Sequence, residues 1–517
     1  MELQDVEKCC GVVTLREDFS GQELVSFSGI LIHPSTGAVI CIGLPFFRLI
    51  IGEKTTYANE RRILLRHNFR DKFKISVSFP SSSHVEANAC RAGKPSEKHG
   101  KQEHEAELLM LVNCVEFKHT FQALFHQADK WCFHGDQGDD LIQNVDYLSW
   151  FAVLKVGVPN PGTVSWCSSL SLQKGSPVVA CGSPFGSLCL DLFNGTVSRG
   201  IISNLAGEDN AVILTDARCL PGTEGGGLFA MEDNCLHLIG VIVSPFGWKA
   251  NEWIGLTLVC SIHSILGSIA KFGEIQDPLR DVWLNPTEVN MTRKSNLGQY
   301  PIVCLVDSGQ RWGSGVLVTS ELILTCRHVV DGKSTVGLKF HHRDRVLDIV
   351  GDVLFSTKAS SPYDVAVVRS RESIFDVVIP RMAHKFNIGE CVLVSGYGGL
   401  GQRCGPSVSC GVLSKAITFN RRAIMLQTTC AVQAGTSGGP VVRASTGELL
   451  GIVCSNTRDL STKATYPHLN FCIPMSVLHG PLLRFEQFGD IKAFDVLDAA
   501  EEQVKRVWRL QDKQSKL

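Results

Sequence analysis

The sequence predicts an all-β protein with a minor helical part, built as two tandem lobes and ending in a helix. Short runs of valine, isoleucine and leucine end in glycine or asparagine, as do the strands of β barrels. Segments of the first half recur in the same order in the second half, which indicates an internal repeat. A length of 517 residues is enough for two or three domains.

Composition and charge narrow the class of protein. The formal net charge is −1, so bulk electrostatics indicate neither nucleic acid nor an anionic membrane as a partner. We find no apolar run of membrane-spanning length, and the acidic start lacks an apolar signal core, so we expect no secretion. The 20 cysteines include no C-x-x-C pair. We therefore predict reduced, mostly structural thiols, with no zinc site, no other metal site and no cofactor.

The first lobe is predicted over residues 1–275 because its segments have counterparts in the second half. The matched pairs are 27–32 with 313–318, 175–182 with 389–396, and 214–227 with the stretch ending at residue 440. A polar, glycine- and proline-bearing insertion at about 88–107 predicts an exposed loop, and it contains Cys90. Asp277-Pro278 and Asn285-Pro286 punctuate a predicted linker over residues 276–300.

The second lobe, residues 301–514, carries a serine that lies between glycines. Ser437 stands in the stretch A-G-T-S-G-G-P at residues 434–440. Glycines have no Cβ, so they allow the tight turn that exposes a nucleophilic hydroxyl. We expect the backbone N–H groups of Gly435 and Ser437 to form the oxyanion hole.

Two further residues complete a predicted catalytic triad. His328 follows a short apolar strand, and Asp364 precedes another, with gaps of 36 (364 − 328) and 73 (437 − 364) residues. We expect Ser437 to attack a peptide carbonyl and His328 to accept the proton and return it to the leaving amine. Asp364 would orient the imidazole. The chain order His, Asp, Ser is unlike that of subtilisin or the α/β-hydrolases.

The segments T-C-R-H, D-V-A and G-T-S-G-G-P resemble the catalytic boxes of trypsin-like and Deg/HtrA-type serine proteases. The resemblance implies that each lobe is a chymotrypsin-like pair of β barrels. Trypsin-like zymogens have an aspartate before the serine, which pairs with a newly freed N-terminus. Here that residue is Thr436, so the resemblance favours a Deg-like site without such activation. We expect no PDZ domain downstream, which departs from typical HtrA proteins.

The resemblance also implies where the substrate pocket lies. Its base would be six residues before the serine, at Ala431, and its wall would include Cys454, Ser455 and Asn456. None of these positions carries a carboxylate, which disfavours lysine or arginine at P1. A small or weakly polar P1 residue fits better.

The first lobe lacks the catalytic residues. Glu224 stands at the position of Ser437, Trp150 at that of Asp364, and the region after residue 41 has no histidine. The first lobe is therefore predicted to be a degenerate protease-like domain. Glu224 as a catalyst stays open as an alternative, but a lone glutamate in a turn is usually solvated.

The end of the chain combines a predicted helix with a predicted targeting signal. Apolar residues recur at helical spacing over residues 491–510. The last three residues, Ser515, Lys516 and Leu517, match the S-K-L peroxisomal targeting signal. We expect the peroxisomal import receptor to bind this tripeptide and deliver the protein to the matrix.

Taken together, the two lobes and the tail resemble the peroxisomal processing proteases and their plant relatives, the glyoxysomal processing proteases. The resemblance implies removal of leader peptides from imported matrix enzymes, including those of β-oxidation, often next to a cysteine. It suggests the hypothesis of self-cleavage near Cys90, and it leaves a homo-oligomer open. Two alternatives are a cytosolic Deg-like quality-control protease and a non-catalytic peptide-binding chaperone module.

Overall fold

A computed structural model describes the protein over most of its length. The described residues are 1–18, 21–33, 35–51, 57–58, 61–71, 73–80, 103–126, 131–133, 145–157, 164–233, 235–245, 248–249, 252–271, 302–342, 345–375, 377–458 and 465–509. The predicted linker 276–300 and residues 88–102 of the predicted insertion lie outside them, as do Cys90 and the tripeptide Ser515, Lys516 and Leu517.

The first lobe contains two antiparallel barrels. Its first sheet has the order β4-β6-β5-β1-β2-β3-β8, and an additional β6–β8 pairing closes six of these strands into a ring. Its second barrel is β10-β11-β16-β13-β12-β9, and β15-β14-β7 form a small sheet. The strands are β1 (Cys10–Glu17), β2 (Glu23–His33), β3 (Ala38–Ile42), β4 (Ile63–Leu65), β5 (Phe73–Ser78), β6 (Glu103–Asn113), β7 (Trp131–Cys132), β8 (Trp150–Val156), β9 (Pro177–Gly182), β10 (Thr196–Ala206), β11 (Val212–Thr215), β12 (Gly227–Glu232), β13 (Cys235–Ser244), β14 (Trp248–Lys249), β15 (Glu252–Trp253) and β16 (Thr257–Ser261).

The second lobe repeats this plan. Its barrels are β17-β18-β19-β22-β21-β20 and β23-β24-β25-β28-β27-β26. The strands are β17 (Val303–Asp307), β18 (Trp312–Leu317), β19 (Leu322–Thr325), β20 (Thr335–His342), β21 (Arg345–Ser356), β22 (Ala366–Ser370), β23 (Cys391–Gly396), β24 (Ser407–Phe419), β25 (Arg422–Thr428), β26 (Pro440–Arg443), β27 (Leu449–Arg458) and β28 (Thr465–Pro474). The predicted fold class, tandem lobes of paired barrels, is confirmed.

Helices occupy a minor part of the described residues. The α-helices are α1 (Leu3–Cys9), α2 (Val115–Leu124), α3 (Leu190–Phe193), α4 (Ile262–Ala270), α5 (Arg327–Val330), α6 (Gly401–Cys404), α7 (Met475–Phe488) and α8 (Glu502–Trp508). The 3₁₀ segments are Leu44–Leu49, Arg66–Asn68, Val145–Tyr147, Ser169–Ser171, Glu208–Asn210 and Ile491–Leu497. None of the helices in the described ranges is long and apolar enough to span a bilayer.

The predicted C-terminal helix is present but divided. The stretch predicted as one helix, residues 491–510, forms the 3₁₀ segment Ile491–Leu497 followed by α8. The Asp490 side chain accepts a hydrogen bond from Lys492 N, which caps the 3₁₀ segment. Phe494 and Leu497 pack in the same core as the preceding helix α7, so the apolar spacing reflects this packing and not one straight helix.

Strand alternation explains how each lobe builds its core. In β3, Val39 and Cys41 join the cluster inside the first barrel, whereas Ala38 and Ile40 join the cluster between the two barrels. Successive side chains of a strand point to opposite faces, so one apolar strand serves both clusters. The two lobes dock through β10 of the first lobe and β24 of the second.

Candidate active site

A tight turn between β25 and β26 carries Ser437. Gly435 has φ +91° and Gly438 has φ +84°, values that L side chains rarely adopt. A Cβ on Gly435 would lie 2.1 Å from the Trp312 ring, and one on Gly438 would lie 2.1 Å from Ser314 O. Both positions therefore require glycine. Ser437 O accepts a hydrogen bond from Ser314 N at 2.7 Å, which fastens the turn to β18.

His328 and Asp364 meet at the end of the third barrel. His328 lies in α5, directly after β19, and Asp364 lies two residues before β22, which pairs with β19. His328 Nδ1 is 2.6 Å from Asp364 Oδ2, and His328 N donates to Asp364 Oδ1 at 3.0 Å. A carboxylate on Nδ1 favours the tautomer whose Nε2 is the basic nitrogen. The predicted histidine–aspartate pair is thus brought together.

Asp364 is buried and ionised. Burial by itself would raise the pKa of its carboxyl, but the hydrogen bond and charge of His328 outweigh it, together with the charge of Arg327 and the His328 N–H. These interactions lower the pKa to about 2. Arg327 Nε lies 3.8 Å from Asp364 Oδ1, and its NH1 donates to Lys358 O at 2.6 Å and Thr357 Oγ1 at 3.2 Å.

Strand β27 connects the Ser437 turn to the segment that carries His328. Ser437 Oγ donates to Cys454 O at 3.4 Å, and Gly438 N donates to Val453 O at 2.8 Å. The Cys326 thiol, two residues before His328, also donates to Val453 O at 3.3 Å. The two segments that hold Ser437 and His328 therefore meet at one point of β27, at the junction of the third and fourth barrels.

Ser314 holds the Ser437 turn, and the motifs of the sequence do not predict this role. Its buried Oγ donates to Gly435 O at 2.7 Å and accepts from Tyr397 N at 2.8 Å. Arg327 was likewise assigned no role. The signal for Ser314 was the G-S-G segment that has a counterpart in the first half, and the signal for Arg327 was a cation next to the histidine.

The predicted pocket residues are all buried. Ala431 precedes the Ser437 turn, while Cys454, Ser455 and Asn456 follow one another along β27. Ser409 Oγ donates to Ala431 O at 2.8 Å and fixes the backbone at the predicted base. Asn456 Oδ1 has no hydrogen-bond partner among the described residues, so the predicted wall carries one buried polar acceptor.

The first lobe repeats the hydrogen bonds around the turn. Ser28 Oγ donates to Gly222 O at 2.7 Å and accepts from Ser183 N at 2.8 Å. Ser28 N donates to Glu224 O at 2.9 Å, as Ser314 N does to Ser437 O. Gly222 and Gly225 have φ of +94° and +87°. Glu224 thus occupies the position of Ser437.

Strand register locates the other two missing residues. Cys41 pairs with Ala152 in the first lobe as Thr325 pairs with Ala366 in the second. Three residues after Thr325 comes His328, and three after Cys41 comes Leu44. Two residues before Ala366 and Ala152 come Asp364 and Trp150, respectively. An apolar and an aromatic side chain therefore stand where an imidazole and a carboxylate stand in the second lobe.

Glu224 is half-buried and hydrogen-bonded, and is therefore not the freely solvated turn residue that the sequence led us to expect. Its Oε2 accepts a hydrogen bond from Gly222 N at 2.6 Å. Burial raises the pKa of the carboxyl to about 7, against the lowering effect of the Glu224 and Gly222 N–H groups. Those two N–H groups correspond to the predicted oxyanion hole of Ser437 and Gly435. The Gly222 N–H group draws the Glu224 side chain back towards the turn, which explains why it does not extend into solvent.

Comparisons with known proteins agree with this arrangement. A trypsin-like peptidase domain model matches residues 132–241 and 313–452. The peroxisomal leader peptide-processing protease of Mus musculus is 42% identical, with 78% of this chain and 75% of the mouse protein covered. Its Homo sapiens counterpart is 38% identical, with 94% and 92% covered. The chain belongs to the family of peroxisomal leader peptide-processing proteases.

Membership of this family makes the chain a trypsin-like serine protease located in the peroxisome. A more distant relative, the serine protease Do-like HtrB of Bacillus subtilis, is 26% identical over 36% of this chain and 40% of its own. Among solved structures, the HtrA-type protease AlgW with tripeptide is 20% identical, covers 38% of this chain and 65% of its own, and has a TM-score of 0.31.

Proposed function

We propose that this peroxisomal serine protease is an endopeptidase whose nucleophile is Ser437, with His328 as general base and Asp364 as the group that orients it. The hydrogen bond between His328 Nδ1 and Asp364 Oδ2 carries this proposal, because it leaves Nε2 as the basic atom of the imidazole. The glycine turn and its link to β27 place Ser437 beside the segment of His328.

Each proposed step uses groups of this chain. His328 Nε2 accepts the Ser437 hydroxyl proton while Oγ attacks the scissile carbonyl carbon. The N–H groups of Gly435 and Ser437 stabilise the resulting oxyanion. His328 then donates the proton to the leaving amine, and water hydrolyses the acyl-enzyme by the same route. The low pKa of Asp364 keeps it ionised, so it stabilises the imidazolium throughout.

We propose that the substrates are imported peroxisomal matrix enzymes, including those of β-oxidation, from which leader peptides are removed. The printed names of the mouse and human relatives support leader peptides as the substrate class. The pocket residues Ala431, Cys454, Ser455 and Asn456 carry no charge, and this supports a small or weakly polar P1 residue. Import through Ser515, Lys516 and Leu517 by the targeting-signal receptor completes the proposal.

The decisive experiment uses purified full-length protein and leader-bearing matrix enzymes, with mapping of new N-termini. We expect wild type to release the leader and Ser437→Ala to release none, because loss of a triad residue costs several orders of magnitude in rate. Glu224→Ala, at the equivalent turn of the first lobe, is the matched control and should cleave like wild type. Equal cleavage by folded Ser437→Ala would contradict the assignment.

Self-cleavage near Cys90 is a finer part of the proposal. Its support is the polar composition of the insertion and the uncharged pocket. Sequencing fragment N-termini from wild type and Ser437→Ala, expressed separately and then mixed, tests it. Cleavage near Cys90 only where active protein is present supports it. Wild type that stays full length, or equal cleavage of both proteins when separate, contradicts it.

A further inference from the structure

The first lobe contacts the backbone that leads into the Ser437 turn. Leu256, just before β16, is 7% exposed and belongs to the same apolar cluster as Ala431 of the second lobe. A small cavity of about 10 Å³ separates it from Ala431, Gln433 and Thr436. A residue of the first lobe therefore lines the same cavity as Ala431, the base of the proposed pocket, and Thr436, the residue that precedes the nucleophile.

The neighbouring Gly255 approaches the same backbone more closely. It has φ +71°, and a Cβ there would lie 3.5 Å from the Ala431 Cβ and 3.1 Å from the Pro467 Cγ. Pro467 O accepts the hydrogen bond of Val432 N at 2.9 Å. The first lobe thus packs against both backbone segments that this hydrogen bond joins, and this packing supports residues 431 and 432.

A buried carboxylate forms a second link between the lobes. Asp216 Oδ1 accepts from Ile201 N of its own lobe at 2.7 Å, and Oδ2 accepts from Cys410 N of the second lobe at 2.6 Å. Ser409, the residue before Cys410, donates its hydroxyl to Ala431 O. Asp216 therefore fixes β24 one residue away from the hydrogen bond that holds Ala431.

The turn needs such support because residues 431–436, A-V-Q-A-G-T, contain no charged side chain. They cannot form an ion pair that fastens them to the barrel. Hydrogen bonds hold them instead: Ser314 Oγ donates to Gly435 O at 2.7 Å, Thr436 N donates to Gln433 O at 3.0 Å, and Gln433 Oε1 accepts from Gly399 N at 3.2 Å. The N–H donors of a preorganised oxyanion hole must stay within about 0.5 Å of their productive positions, so residues that support this backbone affect the reaction.

We propose that the first lobe positions the oxyanion hole of the second lobe, with Leu256 and Asp216 as the positioning residues. Leu256 supports residues 431–436 by packing, and Asp216 supports them through β24 and Ser409. This inference rests on the proposed function, because it takes the Gly435 and Ser437 N–H groups as the oxyanion donors. Neither positioning residue belongs to the proposed triad or to the proposed oxyanion hole.

The test compares full-length Leu256→Ala with Leu258→Ala. Leu258 is two residues away, is 2% exposed and belongs to the same cluster, but it pairs within the first-lobe barrel. We measure kcat and KM on a peptide substrate and the affinity for a peptide boronic acid, which mimics the tetrahedral intermediate. For Leu256→Ala we expect kcat and boronate affinity to fall together by about tenfold or more, with KM nearly unchanged; complete loss of one oxyanion donor costs about 10²–10³. Leu258→Ala should stay within about twofold of wild type.

Asp216→Asn is the second variant, because an amide of the same size can accept only one of the two N–H groups. It should show the same parallel loss of kcat and boronate affinity. Folded Leu256→Ala and Asp216→Asn with wild-type values of both would overturn the inference, as would an equal loss in Leu258→Ala. Labelling with a fluorophosphonate, which reacts with an activated serine, separates the two proposals. If Ser437 of wild type is not labelled, both the proposed function and this inference are wrong. If Ser437 is labelled but Leu256→Ala and Asp216→Asn keep wild-type kcat and boronate affinity, only this inference is wrong.

Discussion

The repeated turn offers a matched pair of substitutions, Ser314→Ala in the second lobe and Ser28→Ala in the first. Each hydroxyl donates to a glycine carbonyl at 2.7 Å and accepts a backbone N–H at 2.8 Å. Both serines are fully buried. The two changes therefore remove the same pair of hydrogen bonds from equivalent turns, one of which carries Ser437 and the other Glu224, although the Gly222 carbonyl is only partly buried.

The expected loss of stability is similar for both. Each substitution leaves one carbonyl and one N–H without a partner, at about 1–3 kcal/mol for each group, with the partly buried Gly222 carbonyl at the lower end. We therefore expect the free energy of unfolding of the affected lobe to fall by about 2–6 kcal/mol. Turnover should differ, because only Ser314 holds the carbonyl of Gly435. Removal of one oxyanion donor costs about 10²–10³ in kcat. A displaced donor should cost less, about 10- to 100-fold.

The assay combines urea unfolding of each full-length variant with kcat on a peptide substrate, at a temperature where both variants stay folded. We expect two similar losses of stability and one selective loss of kcat, in Ser314→Ala. Wild-type kcat in folded Ser314→Ala would show that Gly435 does not need this anchor. Equal losses of kcat in both variants would show that general destabilisation, and not the oxyanion hole, limits turnover.

Three further predictions follow from the same geometry. Asp364→Asn should lower kcat by about 10⁴-fold. Because the pKa of Asp364 is about 2 in the folded protein, its carboxylate stabilises the fold fully above about pH 4, and this stability is lost as the pH falls through 2. Urea unfolding of wild type and Asp364→Asn at a series of pH values tests this, and an identical pH dependence in both would contradict it. Gly435→Ala should abolish turnover through its clash with Trp312, whereas Gly389→Ala, with φ +87° and nothing within 4 Å, should retain kcat. Glu224→Gln should leave kcat unchanged. The pKa of Glu224 is raised to about 7, so wild type should lose stability as the pH rises through 7, and the free energy of unfolding of Glu224→Gln should fall less between pH 5 and 8. An identical fall in both proteins would contradict the raised pKa.

Sequence reasoning located the proposed triad because each member lies in a short motif whose neighbours report its local structure. His328 follows an apolar strand, Asp364 precedes one, and Ser437 lies among glycines whose φ values the turn demands. The tandem barrels were predictable because short apolar runs indicate β strands and because their order recurs in the second half. The repeat itself then gave the correct partners for Glu224 and Trp150.

Long-range contacts were not predictable in the same way. Ser314 acts on Gly435 from 121 residues away, and Asp216 accepts from Cys410 across 194 residues. The repeated G-S-G segment draws attention to Ser314, but no local pattern identifies Gly435 or Cys410 as the distant partner of either side chain. The division of the helix over residues 491–510 also depends on packing against α7 and on the Asp490 cap. Apolar spacing alone could not reveal it.

The degenerate lobe shows which parts of the turn serve the fold and which serve the chemistry. Ser28, Gly222 and Gly225 keep the geometry of their counterparts although Glu224 stands in place of the serine, so this framework closes the turn whichever residue the turn carries. What differs is how the N–H groups at the turn are used. In the first lobe the Glu224 side chain itself accepts the hydrogen bond of Gly222 N, the counterpart of a proposed oxyanion donor in the second lobe. A serine side chain is too short to make this contact, so in the second lobe the same framework leaves Gly435 N to the proposed oxyanion hole, where it would stabilise the charge that develops on a substrate.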